Sequence, residues 1–208
     1  MTSAPEALPA RLRTTPQQAR SQARINAALT AAARLLEREG AESVTTTRVA
    51  HEAGMAVGSV YRYFPDKAAI LDALATRYLH EFEQLMDVMV GRAQAETWTD
   101  PVGLLIDLYA DYYRSQPALR AIWFGTRLSD EMIAADREHK RAMAHGLERV
   151  ARAQGLLGDG DLAAACHACV LTADAILQEA FRTEPLGDPA LLAQAKAMLR
   201  AYLQQARR

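Results

Sequence analysis

The chain is poor in the residues that staple, punctuate or anchor a protein. Its 208 residues hold two cysteines, Cys166 and Cys169, too few for a disulfide framework. Eight prolines and eleven glycines leave no low-complexity tract and no collagen-like or linker-like composition. No apolar run approaches the length of a membrane span, and the first residues, "MTSAPEALPARLRTTPQQ", lack the apolar core of a secretory signal. Strand-like alternation of apolar and polar residues is almost absent. So are a glycine-rich phosphate loop, a nucleophile elbow and a paired acid in an apolar setting, so no enzyme is expected. These absences leave a cytoplasmic, water-soluble helical protein without a membrane partner and without a cofactor.

What is present is helix punctuation. Thr15-Pro16-Gln17-Gln18 combines a capping threonine, a first-turn proline and a capping-box glutamine, and the helix it opens stops at Gly40. A short helix follows over "TTRVAHEA", capped by Thr45 or Thr46 and stopped by Gly54. Asp66 caps a long helix in which Leu71, Leu74, Tyr78, Phe82, Leu85 and Met89 recur at spacings of three and four. Asp100-Pro101, Ser129, Asp161 and Asp188-Pro189 open later helices, and "ALRAIWF" forms a short one ending at Gly125. The fold class is all-α with about nine helices.

The first third decides the function. "TTTRVAHEAGMAVGSVYRYF" reads as a short helix, a glycine-led turn and a second short helix, the helix-turn-helix arrangement. Ala50 is small where the helices cross, Gly54 permits a tight turn, and Val49, Met55 and Val60 fill the corner. The second helix would present Val57, Gly58 and Ser59 to base edges in a major groove. Tyr61 and Tyr63 could then reach phosphates with their hydroxyls, while Arg62 projects from another face, toward phosphate or toward water. Residues 1–67 carry nine Lys/Arg against six Asp/Glu, a net +3 that becomes informative in this context. Arg11, Arg13 and Arg20 form either an arm for a minor groove or a solvated tail.

At these residues, "VTTTRVAHEAGMAVGSVYRYFPDKAAIL", the chain resembles the DNA-binding domain of the tetracycline-repressor (TetR) type transcriptional regulators, over about Ala23 to Leu74. The resemblance implies a homodimer on a palindromic double-stranded DNA operator, usually released by a small effector. Carried over by position, it adds Thr46, Thr47, Arg48 and Lys67 to the DNA-binding set, beside Val57, Gly58, Ser59, Tyr61, Arg62 and Tyr63. For Thr46 the alternative to DNA contact is a cap, and for Tyr63 it is a core position. The implied domains are a disordered arm (1–14), a three-helix DNA-binding domain (15–66), and a larger effector-binding and dimerisation domain (67–208) joined to it by the long helix.

Aromatic residues make up only 6% of the chain, so the gathering of Tyr109, Tyr112, Tyr113, Trp123 and Phe124 within sixteen positions stands out. They are either a helical core or, with Phe82, Met86, Met89 and Met143, the wall of an effector cavity. The resemblance favours the cavity, with a largely apolar effector of unknown identity and a polar handle from a tyrosine, His139, His145 or His167. A regulator of the same fold without a small effector is the second reading. Cys166, His167 and Cys169 are too few for a closed metal site, and none is expected. The alanine-rich helices 161–182 and 188–205 would pair two subunits as a four-helix bundle, with Ala173 expected at the interface.

Overall fold

In a computed structural model the described residues are 19–125, 128–156 and 162–206. They form nine α-helices and one 3-10 turn, with no strand among them. The helices are α1 (Ala19–Glu39), α2 (Thr46–Glu52), α3 (Val57–Tyr63), α4 (Lys67–Ala95), α5 (Pro101–Ser115), α6 (Pro117–Gly125), α7 (Asp130–Ala153), α8 (Leu162–Arg182) and α9 (Pro189–Ala206). The expected arm (1–14), the capping run Thr15–Gln18 and the cap Asp161 lie outside the described residues.

Two compact units divide the chain. One comprises the described residues to Tyr78 together with Ala118–Ala135; the other is Leu79–Pro117 with Asp136–Arg208. In the first, α1 buries Ile25, Ala28, Leu29, Ala32, Leu35 and Leu36, a stripe at helical spacing. Gly40, at φ 78°, breaks α1. The turn that follows was not anticipated: Ala41–Ser43 coil into a 3-10 helix, where the Ser43 hydroxyl donates to the carbonyls of Leu35 and Gly40 (3.1 and 2.7 Å). That bond needs Ser43 to fold back eight residues, a contact no local pattern announces.

In the second unit, α8 packs along α9, and α5 packs against both. Asp100 caps α5 through the Gly103 amide, Ser129 caps α7 through Met132, and Asp188 caps α9 through Ala190 and Leu191. Gln154 ties the end of α7 to the α4–α5 connection: its amide nitrogen donates to the carbonyls of Ala93 and Glu96, and its oxygen accepts from the Trp98 amide. No helix among the described residues is long and apolar enough to cross a membrane.

Candidate DNA-binding surface and effector cavity

Helix α2 begins where the Thr45 hydroxyl accepts from the Arg48 amide at 3.2 Å. Thr45 is therefore the cap, and Thr46 turns inward, 6% exposed. Helix α2 ends in a Schellman motif: Gly54 sits at φ 63°, its amide donates to His51, and the Met55 amide donates to Ala50 at 2.8 Å. Val49, Ala50 and Val60 are fully buried in the corner this turn makes. The geometry fixes which face of α3 is free.

Val57 (38%) and Tyr61 (40%) stand out from α3, beside the exposed Gly58 and the half-buried Ser59. A methyl group at Gly58 would meet no atom of this chain, so nothing inside the protein requires glycine there. Tyr63 behaves differently from its neighbour: it is 1% exposed, its hydroxyl accepts from Arg62 at 2.9 Å, and its ring lies under that guanidinium. The hydrogen bond with Ser21, and then that with Arg62, hold its phenol below the ordinary value. Tyr63 and Thr46 thus take the core and inward positions that the sequence left open, and of the two tyrosines only Tyr61 projects.

The cations expected near DNA are paired within the chain. Arg48 meets Glu39 at 2.6 Å, and Lys67, in the first turn of α4, meets Glu42 at 3.0 Å. Glu42 is almost wholly exposed, so this pair is worth little in water and leaves the Lys67 ammonium able to exchange one anion for another. Thr47 and Arg62 are exposed.

The second unit holds an apolar cavity of about 50 Å³. Its wall comes from Met86 of α4, Val102, Leu105, Ile106 and Tyr109 of α5, Met143 and Leu147 of α7, Cys169, Val170 and Ala173 of α8, Leu199 and Leu203 of α9, and Leu156. Of the residues expected to form it, Met86, Tyr109 and Met143 do so. Phe82, Met89 and Tyr113 are buried but stand off the wall. Phe82 packs on Tyr109 (ring centroids 4.1 Å) and Tyr112 (5.0 Å), and Tyr113 stacks on Phe181 (5.1 Å), as an aromatic core. Trp123 and Phe124 must be removed from the set: they lie on α6, in the first unit, because the chain breaks at Gln116-Pro117 and sequence proximity to Tyr113 ends there. A larger groove of about 330 Å³ in the first unit, between Ala68 and Asp130, is flanked by the carboxylates of Asp72 and Asp130, a lining that does not suit an apolar ligand.

Burial raises the Tyr109 phenol well above its ordinary value, so it is neutral in the folded protein. Burial likewise pushes the thiols of Cys166 and Cys169 up to about 12 and about 11. No cluster of three metal-binding side chains occurs among the described residues. His139, buried at 5% exposure, bonds Glu83 through Nδ1 at 3.0 Å and is not on the cavity wall; His145 and His167 lie on an outer groove between α7 and α8. Two features were invisible in the sequence. Lys140 is held between Asp136 (2.6 Å) and Asp174 (2.8 Å), and Gly146 lies under the Met86 side chain.

Ala173 also needs correction: it is 7% exposed and faces the cavity, not the subunit surface. The outward face of α8 carries Ala164, Ala168, Leu171 and Ala175, and that of α9 carries Gln194, Ala197, Met198, Ala201 and Tyr202. Leu171 (46%), Met198 (53%) and Tyr202 (42%) make this face apolar.

Comparison with known proteins points to one family from both parts of the chain. Residues 96–206 match the tetracyclin repressor-like C-terminal domain, and residues 28–74 match the tetR family of bacterial regulatory proteins. A TetR-family transcriptional regulator from Streptomyces coelicolor is 31% identical with a TM-score of 0.61, the match covering 89% of this chain and 98% of that one. The fold is similar to that of the transcriptional regulator FadR from Bacillus subtilis in complex with stearoyl-CoA (16% identity, TM-score 0.62, covering 86% and 97%). It is also similar to that of the SmeT–triclosan complex (21%, 0.60, 89% and 91%). No curated protein matches the chain.

Proposed function

This chain belongs to the tetR family of transcriptional regulators, and from that premise we propose that it is a repressor binding a palindromic operator as a homodimer and released by a small, largely apolar effector. The observation that carries the reading is the pairing, in one chain, of an outward-facing α3 on a Schellman-terminated α2 with an apolar-lined cavity.

In this reading the DNA-binding domain is 15–66 and the effector and dimerisation domain 67–208. Helix α3 enters a major groove, with Val57, Gly58 and Ser59 at base edges. Gly58 lets the backbone come close, and Val57 offers a thymine methyl an apolar contact. Tyr61 and Lys67 bind phosphates and set the register, with Thr47, Arg48 and Arg62 around them. Lys67 releases Glu42 to do so. Two copies pair through the exposed faces of α8 and α9, and the two recognition helices of the dimer read half-sites about 34–36 Å apart.

Helix α4 is the mechanical link. It runs unbroken from Lys67 to Ala95 and passes Met86 on the cavity wall. An effector that favours a displaced α4 shifts the spacing of the recognition helices, and a tenfold loss of operator affinity needs only ~1.4 kcal/mol of differential binding. Solved structures of this fold in complex with stearoyl-CoA and with triclosan support a small-molecule role for the second unit. The small volume of the cavity favours the second reading, a regulator without a small effector. A compound screen by thermal shift separates them: a true effector raises the melting temperature and also releases bound DNA. If every stabilising compound leaves DNA bound, the effector-released repressor is wrong.

A further inference from the structure

The cavity is too small for the ligand its position suggests. Ligand pockets commonly measure ~300–1,000 Å³, whereas this one has about 50 Å³. A ligand can enter only if a wall residue moves. Most of the wall is branched or aromatic and seated on rigid helices. Met86 and Met143 are neither, being unbranched with three rotatable bonds, and of the two it is Met86 that lies against Gly146.

Met86 is also held in an unusual place. A Cβ built at Gly146 would stand 2.4 Å from Met86 Cγ and 3.2 Å from its Sδ. Gly146 is buried within α7 and is not at positive φ, so its backbone does not call for glycine. The missing side chain is what lets Met86 lie where it does. The wall carries no charged side chain, and its polar atoms are confined to Tyr109 and Cys169, the one a phenol and the other a thiol.

Resting on the effector reading, we propose that the cavity receives an uncharged aliphatic chain, and that it opens when Met86 swings off the cavity wall through the space that Gly146 leaves free. An ionised head group has no counter-charge on this wall, and burying it there unpaired is costly. An alkyl chain replaces the methionine contacts with its own. Because Met86 belongs to α4, the same displacement bears on the helix that begins at Lys67.

The test uses 1-decanol and decanoate, which share a chain and differ in charge at about pH 7. Wild-type protein should be stabilised in thermal shift by decanol and not by decanoate. Met86→Ala clears that part of the wall and should bind decanol about tenfold more tightly, ~1.4 kcal/mol. In Gly146→Ala the new methyl drives Met86 into the cavity, and decanol binding should fall by a similar factor. The double variant Gly146→Ala/Met86→Ala should regain decanol binding, which separates exclusion by Met86 from a folding defect in Gly146→Ala. Equal stabilisation by decanoate overturns the uncharged class, and no stabilisation by decanol overturns the cavity as an aliphatic site. Failure of the double variant to regain binding overturns the Met86 gate. Operator binding by ligand-free wild type is measured alongside: if it is intact while decanol fails, this inference falls and the regulator reading stands; if it is absent, the regulator reading itself falls.

Discussion

Tyr61 and Tyr63 stand two residues apart on one short helix and have opposite environments. Tyr61 is exposed and has its hydroxyl available to a phosphate; Tyr63 is sealed in the core, with Arg62 donating to it. Tyr61→Phe should therefore weaken binding to operator and random duplex alike while leaving the melting temperature unchanged. Tyr63→Phe should do the reverse, costing about 1 kcal/mol of stability through the lost hydrogen bond, and chemical denaturation reads this directly. Lys67→Ala should lower the slope of log affinity against log salt by roughly one. An unchanged slope in that variant removes Lys67 from the interface. At Cys166 and Cys169 burial raises the thiol values to about 12 and about 11, above those of an unfolded chain. The neutral forms are thus favoured in the folded state. Their contribution is fully present below the unfolded thiol value of about 8.5 and is lost as pH climbs through the folded values. Stability should fall between about pH 9 and 12, and a Cys166→Ala/Cys169→Ala variant should show a flatter decline across that window.

The elements are where the sequence was most legible. Caps and stops are local chemistry, so Thr45, Asp66, Asp100, Ser129 and Asp188, with Gly40 and Gly54, mark helix ends directly. Gly54→Ala tests one of them: a side chain at φ 63° costs roughly 1–2 kcal/mol, which equilibrium unfolding would register. The 3-10 turn at Ala41–Ser43 escaped because its bond to Leu35 is tertiary in character. Which side of α8 is exposed was half legible. In α8 the alanines announce close packing, yet Ala173 points to the cavity while Ala164 and Ala168, four apart, point outward with Leu171. An apolar helix with two packed faces gives no periodicity that tells one from the other. The outward face carries the dimer prediction: Leu171→Arg should place an unpaired charge in the bundle and yield monomers by sedimentation, whereas Ala173→Arg should instead unfold the second unit.

At the scale of the whole molecule, the cavity wall draws on five helices from α4 to α9, and no sequence window contains such a set. Met86, Tyr109 and Met143 were legible as apolar residues of the right kind; Gly146 was not, since its role is the space it leaves for a side chain sixty positions away. Trp123 and Phe124 misled because aromatic density along the chain does not respect the break before α6. To act as proposed, the protein must present two α3 helices together to one DNA duplex. Selection of bound fragments from random or genomic duplex, read by sequencing, tests that requirement most directly. The prediction is an inverted repeat with half-site centres about 10–10.5 base pairs, or a multiple, apart, lost when Leu171→Arg protein is used. Enrichment of an asymmetric sequence, or of none, would contradict it.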